Sequence, residues 1–405
     1  MNSDWITTHI HCGDLVVVAQ GVGEPTGLLN QLLAADLPEV EIFVGLSHSD
    51  ALTGSSPARP LISFGAMGPL RKLATVGQVQ VIPCAFTDLT RVLPLRVKGN
   101  LVVVLQVGPA DHDGNHSPGI SLDYTYELLD RADVVVAEVN AAVPTTTAPT
   151  IPADSFDAVV HTRRPLPTVP PSAVAEEHQR IAHHAARLIP DGATIQLGIG
   201  SIPGILGKTL GTRRDLRVRS TLIGDWLLDL HTAGALSDEP DAVVLSEAAG
   251  SEDLYHLVSD SDFLLRPISE VVAPAAAGSI PKYFAINSAL QVDLSGQVNA
   301  EETDSGYIGG IGGQTEFFRA AQRSPGGASI VVLPATAHGG SSSRIVSRLT
   351  PATVTTPRSG IDYIVTEFGV ADLRGRTLPE RAEAIAAVAA PQHRQQLLEQ
   401  NGYDR

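Results

Sequence analysis

Cysteine is scarce. Cys12 and Cys84 are the only two in 405 residues, too few for a disulfide framework, so a reducing, cytoplasmic setting is expected. Positive charge is also short: 28 Lys and Arg stand against 44 acidic residues, a formal net charge of -16. Binding a nucleic-acid backbone needs a basic surface that releases counterions, so nucleic acid is not expected as a partner. An anionic ligand would instead have to be met by local cations and backbone N–H groups. No apolar run approaches the length of a membrane helix, and the opening MNSDWITTHIHCGD lacks the basic start and apolar core of a secretory signal. No membrane association is expected.

Metal-ligand clusters are equally thin. His9, His11 and Cys12 lie close together, but no second cluster at ligand spacing accompanies them, and a partly buried thiol with two surface imidazoles is the plainer reading. The stretch from Asp111 to His116 has some features of a calcium loop but lacks the Glu at its far end, which favours a simple turn. No metal and no tightly bound cofactor are expected.

What the chain does have is a repeated alternation. DLVVVAQG precedes EPTGLLNQLLAA, NLVVVLQVG precedes DYTYELLDRA, and ATIQLGIG precedes IPGILGKTLG, with SIVVLPAT in the last third. Runs apolar on both faces belong to buried strands, and strands alternating with helical periodicity give a largely parallel sheet. The fold class is therefore α/β. A chain this long exceeds one ordinary core. Gly13–Pro25 and Gly192–Pro203 repeat the same plan of turn, strand, Gly-x-Gly and a proline near the first helical turn, which points to two similar open α/β domains. Four prolines, Pro165, Pro167, Pro170 and Pro171, interrupt the chain between them. The expected domains are residues 1–172 and 173–405. The second opens with a helix in AEEHQRIAHHAARLI that leaves His183 and His184 on the surface.

Three places carry candidate chemistry. Gly198-Ile199-Gly200 joins a strand to a helix, where backbone amides can face an anion or a developing oxyanion, although many such turns are only tight corners. From Gly306 to Gly313 there are five glycines in eight residues, a density needed where backbone takes positive φ or lets a ligand approach closely. Gln314 and Phe317 follow, which favours a ligand-facing loop over a flexible lid. Glu367, after an apolar strand and two residues before Gly369, is placed to project from the sheet's C-terminal edge. A structural carboxylate paired with Arg374 or Arg376 is the competing reading.

Four segments, AINSALQVDLSGQVNAE, YIGGIGGQTEFFRAA, SSRIVSRL and YIVTEFGVADLRGRTLPERA, closely resemble the acetyl-CoA hydrolase/transferase family, which includes 4-hydroxybutyrate and acetate CoA-transferases. GEP at Gly23–Pro25, GPADHDGNHSPGISLDYT and VVAEVN agree less tightly. The resemblance implies two CoA-transferase-type α/β domains, the second carrying the Gly-rich loop, an acyl-CoA thioester as substrate, a small-molecule acceptor or water as its partner in reaction, and a homodimer. It further implies catalytic roles at Glu367, at the position of Thr221, and at Gly312 and Gly313, whose amides would meet the thioester oxygen. Gly198, Ile199, Gly200, Asn287, Gly310 and Gln314 form the substrate- and CoA-binding set it implies.

One departure from the family pattern bears on mechanism. By the family resemblance, relatives usually have H-[ST]-E, a short spacer and D-G; aligned on Asp225, this chain reads Arg219-Ser220-Thr221-Leu222-Ile223-Gly224-Asp225-Trp226, which sets Thr221 at the position of the nucleophilic Glu. The family's N-x-P falls at Val272-Ala273-Pro274, leaving Val272 in place of the Asn. An acyl-threonine ester is too stable to pass CoA to a carboxylate. The leading expectation is thus an acyl-CoA-processing enzyme that transfers or hydrolyses the acyl group directly, with Glu367 as general base. The alternatives are a true CoA-transferase using Glu367, Glu247 or Glu24 as nucleophile, and a CoA-binding protein without catalysis.

Overall fold

The computed structural model describes residues 4–37, 39–53, 57, 59–272, 278–350, 353–400 and 402. The β-branched runs form buried strands as their composition demands. Leu15–Val18 and Leu101–Val107 are buried at every position, the mark of strands covered on both faces. By contacts the chain divides into two units: Met1–Val169 with Val244–Val271 and Gly306–Gly312, and Pro170–Val243 with Val272–Ser305 and Gly313–Arg405.

The first unit is built on a parallel sheet in the order Val79–Val81, Leu61–Ser63, Glu41–Phe43, Leu15–Val18, Leu101–Val107, Val134–Asn140 and Ala158–Thr162. Trp5, Leu28, Leu29, Leu32 and Leu70 pack against Val16, Val18, Val102, Val104 and Val136 in its core. Phe43, Phe64, Phe86 and Tyr124 make a chain of aromatic contacts. The Gly-rich loop belongs in part to this unit and not wholly to a C-terminal domain. Gly65 bridges Gly310, Ala66 N–H donates to Gly309 O at 2.9 Å, and Phe86 N–H donates to Gly312 O at 3.0 Å. Residues 244–271 join the same unit through Leu122 N–H to Ser246 O and Ala248 N–H to Ile120 O.

In the second unit, Thr194–Leu197 lies between Arg217–Ile223 and Tyr283–Ser288, followed by Ala328–Val332 and Tyr363–Thr366, all parallel. Gly369–Asp372 turns back antiparallel on Tyr363–Thr366, which puts Glu367 in the tight turn between them. The helix Glu176–Ala186 buries Ile181, Ala182, Ala185 and Ala186 and leaves His183 exposed. From Arg163 to Ala175 the chain forms neither helix nor strand, as its prolines require.

Candidate active site

Parallel α/β sheets present ligands with their C-terminal strand ends, where strand-to-helix turns leave free amides. In the second unit that edge holds several of the expected residues. Thr194–Leu197 ends at Gly198, Ile199 and Gly200, and the helix Ser201–Leu210 begins. Gly200 has φ +120, and an added Cβ at either Gly198 or Gly200 would meet nothing within 4 Å. The turn is fixed from behind by Trp226, whose indole N–H donates to Gly198 O at 2.9 Å. Trp226 is 2% exposed, a core residue, and Gly207 makes room for it: a Cβ there would lie 2.4 Å from that of Trp226.

Thr221 sits in the next strand. Ile195 is in register with Val218, and continuing that register sets Thr221 level with Gly198. Its side chain is largely buried, while the preceding Ser220 hydroxyl donates to Leu197 O at 2.8 Å. On the other flank, the Asn287 amide donates to Gln196 Oε1 at 2.8 Å. Gly198, Thr221 and Asn287 therefore occupy the ends of three neighbouring strands.

Glu367 is half-buried, and its Oε2 accepts from Ala335 N–H at 2.8 Å. The cation facing it is Arg344, neither Arg374 nor Arg376. Burial lowers the Arg344 pKa and the Glu367 charge opposes that shift. Arg374 instead grips both oxygens of Asp372 and lies over the Tyr363 ring. Gly313 caps the helix Gln314–Arg323, and Phe317 packs its ring 2.9 Å from where a Gly313 Cβ would stand. Phe317 is thus a core residue and not a ligand-facing one. Gln314 is buried, with no hydrogen-bond partner for its Nε2 among the described residues.

The first unit holds Gly310 and Gly312, the latter at φ +55 with open space where a Cβ would stand, and a cluster of buried acids that sequence reasoning found only in part. Glu24, in the turn after Leu15–Val18, accepts from the hydroxyls of Ser47, Ser49 and Thr26, and burial raises its pKa against their effect. Glu247 accepts from Val22 N–H and the Gln20 amide, each at 3.1 Å. Burial and the neighbouring Asp123 push its pKa up to about 8. Asp123 accepts from Gln20 N–H at 2.5 Å and from Thr125, and burial pushes it up to about 6. Asp123 carried no separate signal in the sequence, because the partner that makes it notable, Glu247, is remote along the chain. Glu138, in the VVAEVN stretch, pairs with Arg164 at 2.7 Å and accepts the N–H groups of Gly27 and Leu28.

Other expectations resolve simply. Asp111 to Asn115 is a turn, exposed from Asp111 to Asp113, in which Asp111 Oδ1 accepts the N–H groups of Asp113 and Asn115. Cys12 is exposed and not partly buried, because its thiol reaches out to Glu39 at 2.7 Å. Val272 is buried at the end of the helix Ile268–Val272, and Ala273 and Pro274 lie outside the described residues. Among the described residues no helix is long and apolar enough to cross a membrane.

Two parallel sheets with glycine turns and acids at their C-terminal ends define an open α/β protein of the CoA-transferase type, and solved structures agree. RipA from Yersinia pestis is 27% identical with a TM-score of 0.86, covering 97% of this chain and 94% of that one. The 4-hydroxybutyrate CoA-transferase from Porphyromonas gingivalis is 29% identical with a TM-score of 0.78, covering 98% and 95%. The chain belongs to the acetyl-CoA hydrolase/transferase family: that family's N-terminal domain matches residues 1–170 and its C-terminal domain residues 250–401. It is 33% identical over 400 residues to 4-hydroxybutyrate coenzyme A transferase of Clostridium kluyveri, covering 95% of this chain and 92% of that one. It is also 26% identical to an acetyl-CoA hydrolase of Neurospora crassa, covering 70% and 62%.

Proposed function

We propose that this enzyme takes an acyl-CoA and passes its acyl group directly to water or to a small-molecule acceptor, without a glutamyl-CoA intermediate. The reading rests on Thr221: the strand end level with Gly198 carries a hydroxyl, at the position where the resemblance to the family implies a nucleophilic carboxylate. In hydrolysis, water attacks the thioester carbonyl, the C–S bond breaks, and CoA leaves as the thiolate. Glu367 takes the proton from water and returns it to the thiolate sulfur. The Ala335 N–H and the nearby Arg344 guanidinium hold the Glu367 carboxylate in place. The amides around Gly312 and Gly313 serve the developing oxyanion, for which preorganised donors are worth a large share of the barrier reduction.

Glu247 and Glu24 make poor substitute nucleophiles. Both are buried and occupied by internal donors, and the Glu247 pKa is pushed up to about 8, so neither presents an accessible carboxylate to a substrate. The scarcity of cysteine supports a cytoplasmic setting. The test is turnover of a panel of acyl-CoAs by the wild type and by Glu367→Gln. The expected result is release of free CoA or a non-carboxylate acyl product, with kcat reduced about 100-fold in the variant. Undiminished turnover in Glu367→Gln would remove its role as base.

A further inference from the structure

The sheet of the second unit has a second edge. Its strands begin at Thr194, Tyr283, Ala328 and Tyr363, and at this N-terminal end lies a cavity of about 570 Å3. Arg187, Arg213 and Arg374 line it with Tyr363, Asp191 and the backbone of Gly326 and Gly327. Tyr363 and Glu367 are separated by the length of one strand, roughly 13 Å at the usual rise per residue. The cavity is therefore at the opposite edge from Gly198, Asn287 and Glu367.

Three guanidinium groups around one cavity are conspicuous in a chain of net charge -16, and each retains donor capacity. Among the described residues, no carboxylate or carbonyl partners the Arg187 side chain. Arg213 donates Nε to Ile189 O at 2.8 Å and one Nη to Ala186 O at 3.0 Å, which covers the negative carbonyl end of the helix Glu176–Ala186 and leaves its other Nη without a bond to the described residues. Arg374 holds Asp372 through Nε and one Nη, leaving the second. The Tyr363 hydroxyl makes no hydrogen bond to the described residues. Asp191 is the only acid in the lining, and its carboxylate already accepts Arg214 N–H at 2.9 Å.

We propose that this arginine-lined cavity binds a small phosphate ester of nucleotide size. Guanidinium forks match tetrahedral oxyanions through paired hydrogen bonds, and the volume lies within the usual range for small-molecule sites. The inference does not depend on the identity of the acyl substrate.

Isothermal titration of the full chain, without acyl-CoA, with AMP and separately with inorganic phosphate tests it. The expected result is saturable AMP binding with a dissociation constant below about 1 mM, weakened at least about tenfold by Arg187→Glu and partly restored by Arg187→Lys, with unchanged melting temperature. Arg187 is exposed and has no side-chain partner among the described residues, so its replacement spares the fold. Tighter binding of AMP than of phosphate would support the site, because it shows that the nucleoside contributes; phosphate binding as tightly as AMP would overturn the nucleotide-sized ligand. Absence of binding by either probe, or AMP binding indifferent to Arg187→Glu, would overturn it.

Discussion

The two strand-to-helix turns that repeat one another in sequence have opposite surroundings. In the first, an added Cβ at Gly21 would lie 1.5 Å from Glu247 Oε1, and one at Gly23 would lie 2.7 Å from Ser121 Oγ. In the second, Gly198 and Gly200 face open space. The same glycine pattern thus serves internal packing in one unit and leaves the backbone accessible in the other. A Gly-x-Gly turn is evidence of close approach, and only its neighbours tell whether a side chain of the protein or something from outside makes that approach.

Replacing glycine tests this difference most severely. Gly21→Ala combines a collision with Glu247 and a strained φ of +62, and a loss of about 3 kcal/mol or more is expected by chemical denaturation. A wild-type midpoint in that variant would mean the turn is looser than described.

The acids behind the first turn should also give it a pH dependence that the second lacks. The folded chain keeps the Glu247 proton up to about 8, whereas the group's ordinary value is 4.5. Stability that is full below the ordinary value is therefore lost as pH rises toward about 8, because folded protein holds a proton that unfolded protein has released. Asp123 adds a like decline that ends near 6. Glu247→Gln should flatten the melting-temperature profile between 4.5 and about 8 and leave only the Asp123 decline, which ends near 6. An unaltered profile would show that Glu247 is already ionised.

The smallest stability effect belongs to the open turn. Gly198→Ala meets no neighbour, so its stability should stay within about 0.5 kcal/mol of wild type, while acyl-CoA turnover falls if that face takes substrate. A destabilisation comparable to that of Gly21→Ala would erase the contrast between the two turns.

Much of the architecture was legible in the chain. Doubly buried runs such as LVVV and LVVVLQV declared their strands because a parallel sheet covers both faces, and the prolines between Pro165 and Pro171 marked the passage without regular structure. What local pattern could not give was long-range partnership. The pairing of Gly65 with Gly310 draws part of the Gly-rich loop into the first unit. Arg344, and not the sequence-adjacent Arg374, faces Glu367 because Asp372 lies on the returning strand and holds Arg374 first. The Glu247–Asp123 pair arises only when distant segments meet.

The proposed acyl transfer bypasses an enzyme-bound glutamyl-CoA. Borohydride trapping of the wild-type protein during incubation with acyl-CoA and free carboxylic acids, read by peptide mass spectrometry alongside free CoA and acyl products, addresses it directly. The expected result is free CoA or a new acyl product with no CoA-dependent change on any Glu. Exchange of CoA between acids together with a reduced Glu residue would contradict it.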